Sequence, residues 1–209
     1  MERALADMER AFYLLDCGTR FNGVQVVTLR GPIDEALLRE ALLRLQARHP
    51  LLRVRLRGDD RKLSLTDEDH GPLPLTVRAR HSDTDWISVA EQELNLPFDR
   101  DGDHLTRLQL LRGDDRSDLI LAHHHVTADA LSIIFAIRDL LTDLDLLRRG
   151  EALPKVESLP LLSPMPDLLP PKARGLRLFL PMNHFFWKHV VGKPLRRAKT
   201  LPLSQPMPA

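Results

Sequence analysis

Three consecutive histidines, His123, His124 and His125, end an apolar run, and Asp129 follows four residues after the last of them. A neutral imidazole has a pKa near operating pH, so it can take a proton from a hydroxyl, amine or thiol and later return it. In a strand ending at Val126, successive side chains point to opposite faces. His123 and His125 then share a face with Leu119 and Leu121, while His124 turns the other way with Ile120 and Ala122. His125 is the candidate general base. Asp129, at a helix start, is placed to orient a ring or bond an arginine, and a carboxylate is also at ease at a helix N-terminus without any chemistry. Two plainer readings stand beside this one. His123 and His125 are two ligands of a zinc site, although no other His/Cys cluster has a spacing that points to the same place, so no metal is expected. Alternatively, the run is three polar residues where a strand stops. A serine nucleophile lacks the G-x-S-x-G elbow it would need.

The elements around this run are legible from periodicity. Residues 105–126 read as a hairpin, two apolar stretches around Gly113-Asp114-Asp115. Residues 129–149 form the best helix, with Arg148 and Arg149 in its last turn and Gly150 just past it. A second helix opens at Pro32, repeats Leu38, Leu42 and Leu45 at helical spacing, and stops at Pro50. Residues 3–15 read as a short helix and 84–98 as another, capped by Asp83 or Thr84. Residues 24–31, 51–58, 61–67 and 73–80 read as strands. Strands joined both by hairpins and by helices indicate an α+β or mixed sheet.

Of the 30 basic residues, eight follow Asp167, where no acid remains, leaving 22 against 29 acids in the rest. Eleven of the 16 prolines lie beyond residue 150. The chain therefore divides into an acidic folded body, residues 1–150, and a proline-rich linker with a basic, aromatic tail, residues 151–209. Residues 172–199 set Phe179, Phe185, Phe186 and Trp187 among bases, which suits contact with a second half of the molecule, a membrane surface or an acidic partner. No recognition motif accompanies the charge, so nucleic acid is not expected. A single cysteine, Cys17, suits a reducing compartment, and no apolar stretch reaches bilayer length, so a cytoplasmic protein is expected.

The stretch HHVTADA (124–130) resembles the H-H-x-x-x-D-G motif of the CoA-dependent acyltransferase superfamily, which includes chloramphenicol acetyltransferases and the condensation domains of peptide synthetases. RHPLLRVRL (48–56) and PFDRDGDHLTRLQLLR (97–112) resemble two further stretches of condensation-type proteins, in the same order and at similar spacing. The resemblance covers about residues 8–150 and only the N-terminal half of such proteins. It implies a mixed α/β sandwich, a chloramphenicol acetyltransferase-like half-domain with a mostly antiparallel sheet flanked by helices. It implies that His125 is the general base for the acyl acceptor and that His124 is structural. It implies that Asp129 fixes the loop by pairing with an arginine, for which Arg53 and Arg107 are candidates. Ala130 stands where the motif has glycine. The implied activity is transfer of an acyl group, other than aminoacyl, from CoA or a carrier-protein phosphopantetheine to a hydroxyl or amine, with no bound cofactor. Because half of the binding cleft is outside the match, a complementary second-half chain, a carrier protein or a second copy of the chain is the expected partner. The alternative is a half-domain that binds or assembles without chemistry.

Overall fold

A computed structural model of the chain describes residues 2–59, 62–67, 71–98, 104–168, 170 and 184. In chain order the elements are β1 (Glu2–Ala4), α1 (Asp7–Thr19), β2 (Asn22–Arg30), α2 (Glu35–Arg48), a 3-10 turn (Pro50–Leu52), β3 (Val54–Asp59), β4 (Lys62–Asp67), β5 (Leu75–Ala79), α3 (Asp85–Asn95), β6 (Thr106–Arg112), β7 (Arg116–His124) and α4 (Ala130–Arg149). A single helical turn at Met165–Leu168 belongs to a second unit that begins at Ser163; the first unit ends at Leu162.

The central sheet has the order β2-β7-β6-β5. β7 pairs antiparallel with β2 and with β6, and β5 pairs parallel with β6 across the α3 connection. A smaller antiparallel sheet has the order β1-β4-β3. Alternation along β6 and β7 divides their side chains between two layers. Leu108, Leu110, Leu119 and Leu121 join the core with Leu38, Leu42 and Leu45 of α2 and Ile133, Ile137 and Leu140 of α4. Leu111 and Ile120 face the other way, onto Val89 and Trp86 of α3. Both faces of β7 are thus covered, which explains why residues 117–124 are all buried and why the apolar run Leu119 to Ala122 does not alternate with polar residues. α1 packs with the small sheet, where Tyr13 meets Val54, Leu56, Leu63 and Leu65.

The expected hairpin forms, and the helix expected over 129–149 spans Ala130–Arg149 with Asp129 as its cap; Gly150 takes the left-handed conformation (φ 66°) that ends α4. Elsewhere boundaries move for identifiable reasons. The helix expected from Pro32 starts at Glu35, because the Asp34 carboxylate accepts the Ala36 and Leu37 N–H groups at 2.8 and 3.1 Å and takes the cap. The helix expected over 3–15 starts at Asp7, because residues 2–4 pair with β4 instead. The strand expected from Leu51 begins at Val54, after the 3-10 turn. Neither Asp83 nor Thr84 caps α3 through its side chain; Asp85 accepts the His81 and Ser82 N–H groups at 2.6 and 3.1 Å. Residues 151–162, beyond the boundary expected at 150, carry no helix or strand but are tied to α2. Leu159 N–H donates to the Arg48 carbonyl (2.8 Å) and Arg44 donates to the Pro154 carbonyl (2.7 Å). The basic tail expectation falls on residues 172–199, which apart from His184 lie outside the described residues. No described helix is long and apolar enough to cross a membrane.

Candidate active site

β7 delivers the histidines to a tight turn, residues 125–127, that leads into α4. The three rings meet three different environments. His124 is 2% exposed, and its Nδ1 accepts the Val126 N–H at 3.0 Å. That bond leaves the proton of the neutral ring on Nε2, which faces Asp16 Oδ2 of α1 at 3.6 Å, an electrostatic contact rather than a hydrogen bond. Burial lowers the pKa of His124, with Asp16 opposing. The Asp16 carboxylate also accepts the Phe21 N–H at 2.5 Å. Thr127 closes the turn by donating its N–H and its hydroxyl to the His124 carbonyl at 3.0 and 2.9 Å. One buried residue pair, Asp16 and His124, therefore joins the end of α1, the start of β2 and the turn after β7.

His123 is fully buried and lies over Gly23, its register partner in β2. A Cβ at position 23 would stand 2.2 Å from His123 Cε1, so only glycine admits the ring. Gly23→Ala is expected to destabilise the fold by about 2 kcal/mol through overpacking, with most of the loss recovered in the Gly23→Ala/His123→Ala pair; urea midpoints measure both. Neither ring nitrogen of His123 has a well-aligned hydrogen-bond partner among the described residues. Burial, and then the adjacent His125, push its pKa down to about 4. The unfolded ring charges near pH 6.5 and the folded ring only near 4, so stability from this residue is intact above 6.5 and falls as pH drops from 6.5 towards 4. The loss is on the order of 3 kcal/mol, and His123→Phe is expected to flatten that part of the stability curve in denaturant titrations at successive pH values.

His125 is the partly exposed member of the run. Its ring centroid lies 4.6 Å from that of Phe21, 5.7 Å from Phe12 and 5.4 Å from His123. It makes no hydrogen bond with any described residue. Two aromatic rings and a buried neutral imidazole thus hold it at the junction while no described residue engages its nitrogens. Phe12, Phe21, Asp16 and Gly23 were not identified from sequence. The one local signal was the spacing of Phe12 and Asp16, four residues apart on one face of α1.

Asp129 is exposed and caps α4, accepting the Ser132 N–H at 2.8 Å and the Ser132 hydroxyl at 2.6 Å. The Ser132 hydroxyl, then its N–H, hold the carboxyl below the ordinary range. Asp129 pairs with no arginine among the described residues, and both candidates are engaged elsewhere. Arg53 pairs with Asp67 (3.2 Å) and donates to the Gln46 and Ala47 carbonyls at 2.6 and 2.9 Å, closing the C-terminal end of α2. Arg107 pairs with buried Glu93, donates to the Leu96 carbonyl at 2.6 Å and lies 4.0 Å over the Phe98 ring, closing the end of α3. The physical reason is the same in both: helix ends leave carbonyls without partners, and a guanidinium fork serves them together with a carboxylate. Phe98 in turn meets the His124 ring edge-on at 6.1 Å, so Arg107 supports the histidine turn from one layer away. For a metal, no group of three or more His, Cys, Asp or Glu side chains comes together among the described residues.

Leu131, Ile134 and Phe135, on the first turns of α4 beside the histidine turn, are 63%, 53% and 52% exposed. A cavity of about 650 Å³ lies at the other end of β7, where Arg112 and Leu29 line it, and His125 is not part of it.

The condensation-domain model of sequence comparison matches residues 13–160 of this chain. Over 133 residues the chain is 32% identical to a component of the linear gramicidin synthase of Brevibacillus parabrevis, covering 60% of this chain and 3% of that one. Among solved structures, the starter condensation domain of the rhizomide synthetase RzmA superposes with a TM-score of 0.65 at 16% identity, covering 74% of this chain and 40% of the other. The X-domain from teicoplanin biosynthesis superposes with a TM-score of 0.64 at 24% identity, covering 94% and 40%. These likenesses bear out the expected half-domain fold, and the chain spans about two fifths of each solved neighbour. The match over residues 13–160, a span that includes the histidine turn between β7 and α4, places the chain in the condensation-domain family.

Proposed function

We propose that this chain supplies the histidine wall of a condensation-type acyltransferase site. His125 takes the proton of the acceptor amine or hydroxyl as the acceptor attacks a thioester carbonyl. The new C–N or C–O bond forms, the C–S bond breaks, and the proton passes from the imidazolium to the departing thiolate. The thioester is carried by a phosphopantetheine arm of a carrier protein, or by CoA. Relatives named as nonribosomal peptide synthetases support an aminoacyl or peptidyl group as the one transferred, in place of the other acyl groups expected from sequence. The observation that carries this reading is the contrast within the run: His123 and His124 are buried, while His125 is partly exposed, held by aromatic rings and unbonded at its nitrogens by any described residue. Asp129 serves by fixing the start of α4, and His124 by holding the turn.

The opposite wall of the cleft comes from a complementary second half, on this or another chain, or from a second copy, covering the exposed Leu131, Ile134 and Phe135. Residues 172–199 are a candidate for contact with that wall or with an anionic membrane surface. The test is aminoacyl transfer from a loaded carrier protein to an amine acceptor, followed by mass spectrometry, with and without a separately supplied second half. A second reading, a carrier-binding module without chemistry, is favoured by the two-fifths coverage of the solved neighbours. It predicts that wild type and His125→Ala bind the carrier equally and that neither transfers under any of these conditions.

A further inference from the structure

We propose that the groove at the end of the sheet remote from His125 binds a small amphiphilic anion, an aliphatic carboxylate. The groove, about 650 Å³, lies in the size range of small-molecule sites. Leu29 at the end of β2, Ile33 and Leu37 at the start of α2, and Leu141 and Leu144 of α4 form its apolar wall. Arg30, Arg112 and Arg148 stand at the same groove, and none of their guanidinium groups makes a hydrogen bond or ion pair with any described residue.

The groove also holds carboxylates, and their engagement decides the sign of its free charge. Asp34 is occupied by the Ala36 and Leu37 N–H groups. Asp145 pairs with Arg149 at 2.7 Å. Asp114 alone is unengaged. An adjoining groove shares Arg112 and Asp114 and adds Arg78, likewise without a partner, and Glu35, which pairs with Arg39 at 2.7 Å. This end of the sheet therefore offers four guanidiniums without a carboxylate partner among the described residues against two carboxylates without a cation, Asp34 and Asp114, a surplus of positive charge. Elsewhere in the fold, Arg44, Arg48, Arg53, Arg80 and Arg107 are each engaged by a carboxylate. An apolar wall beside a surplus of free guanidinium forks matches a ligand with a hydrocarbon tail and a planar anionic head. The assignment is independent of any role for His125.

Decanoate and the uncharged 1-decanol are the probes, titrated into the full chain and followed by amide NMR. Decanoate is expected to give saturable shifts at Leu29, Leu37 and Leu144. The Arg112→Gln/Arg148→Gln variant, altered only at exposed residues, is expected to weaken decanoate about tenfold or more while leaving decanol unchanged. His125→Ala is expected to bind decanoate as wild type does. Absence of saturable shifts, equal affinity for decanol and decanoate, or undiminished decanoate binding by the double variant overturns the proposal.

Discussion

His125→Ala is expected to lower aminoacyl transfer from a carrier-bound thioester by about 10²- to 10⁴-fold, the range that general-base removal produces. The same substitution is expected to leave the thermal midpoint nearly unchanged. The ring is partly exposed and makes no hydrogen bond with any described residue, so its loss removes its ring contacts with Phe12, Phe21 and His123. His124→Ala should behave oppositely. It removes the acceptor of the Val126 N–H and the partner of Asp16, so the fold loosens and transfer falls together with it. Measuring rate and stability on both variants separates a group that does chemistry from one that holds the turn.

Arg107→Ala is expected to cost about 3–5 kcal/mol, because it leaves the buried Glu93 carboxylate without its cation. The side chain of Glu93 is only 4% exposed, and the Gln109 amide, which donates to it at 2.8 Å, is neutral and cannot replace the charge. The same change strips a donor from the Leu96 carbonyl and unseats Phe98. The double variant Glu93→Leu/Arg107→Met is expected to be more stable than Arg107→Ala alone, since it removes the stranded charge along with the pair. Urea denaturation read as midpoint and slope measures all three. A loss below about 1 kcal/mol in Arg107→Ala would mean that the ion pair is solvated and that the arginine is not structural.

The features legible in the sequence are those whose cause is local. The β6–β7 turn and the α4 terminus at Gly150 are set by residues within a few positions of each other, and the structure places them where the sequence does. Family membership was legible because the histidine turn, with the stretches at 48–56 and 97–112, is a contiguous signature. The features missed have distant causes. β1 is strand rather than helix because β4 offers it hydrogen bonds. His123 is buried because Gly23, across the β2–β7 pairing, leaves room for it. Arg53 and Arg107, the arginines expected near Asp129, meet Asp67 and Glu93 instead. Sequence shows that a guanidinium is present, but not that Asp67 and Glu93, with two helix ends, lie closer than Asp129. Asp16 and Phe21 reach the turn only through the packing of α1 and β2 against the end of β7.

The most direct measurement is chemical rescue of His125→Ala. Single-turnover transfer from an aminoacyl carrier protein is followed in the presence of the second half while imidazole is added. If the missing ring is the proton acceptor, free imidazole restores part of the rate, and the restored rate follows the fraction of imidazole that is unprotonated as pH is varied. A His125→Ala rate equal to wild type, or a reduced rate that imidazole does not raise at any pH, contradicts the assignment of His125 as the base.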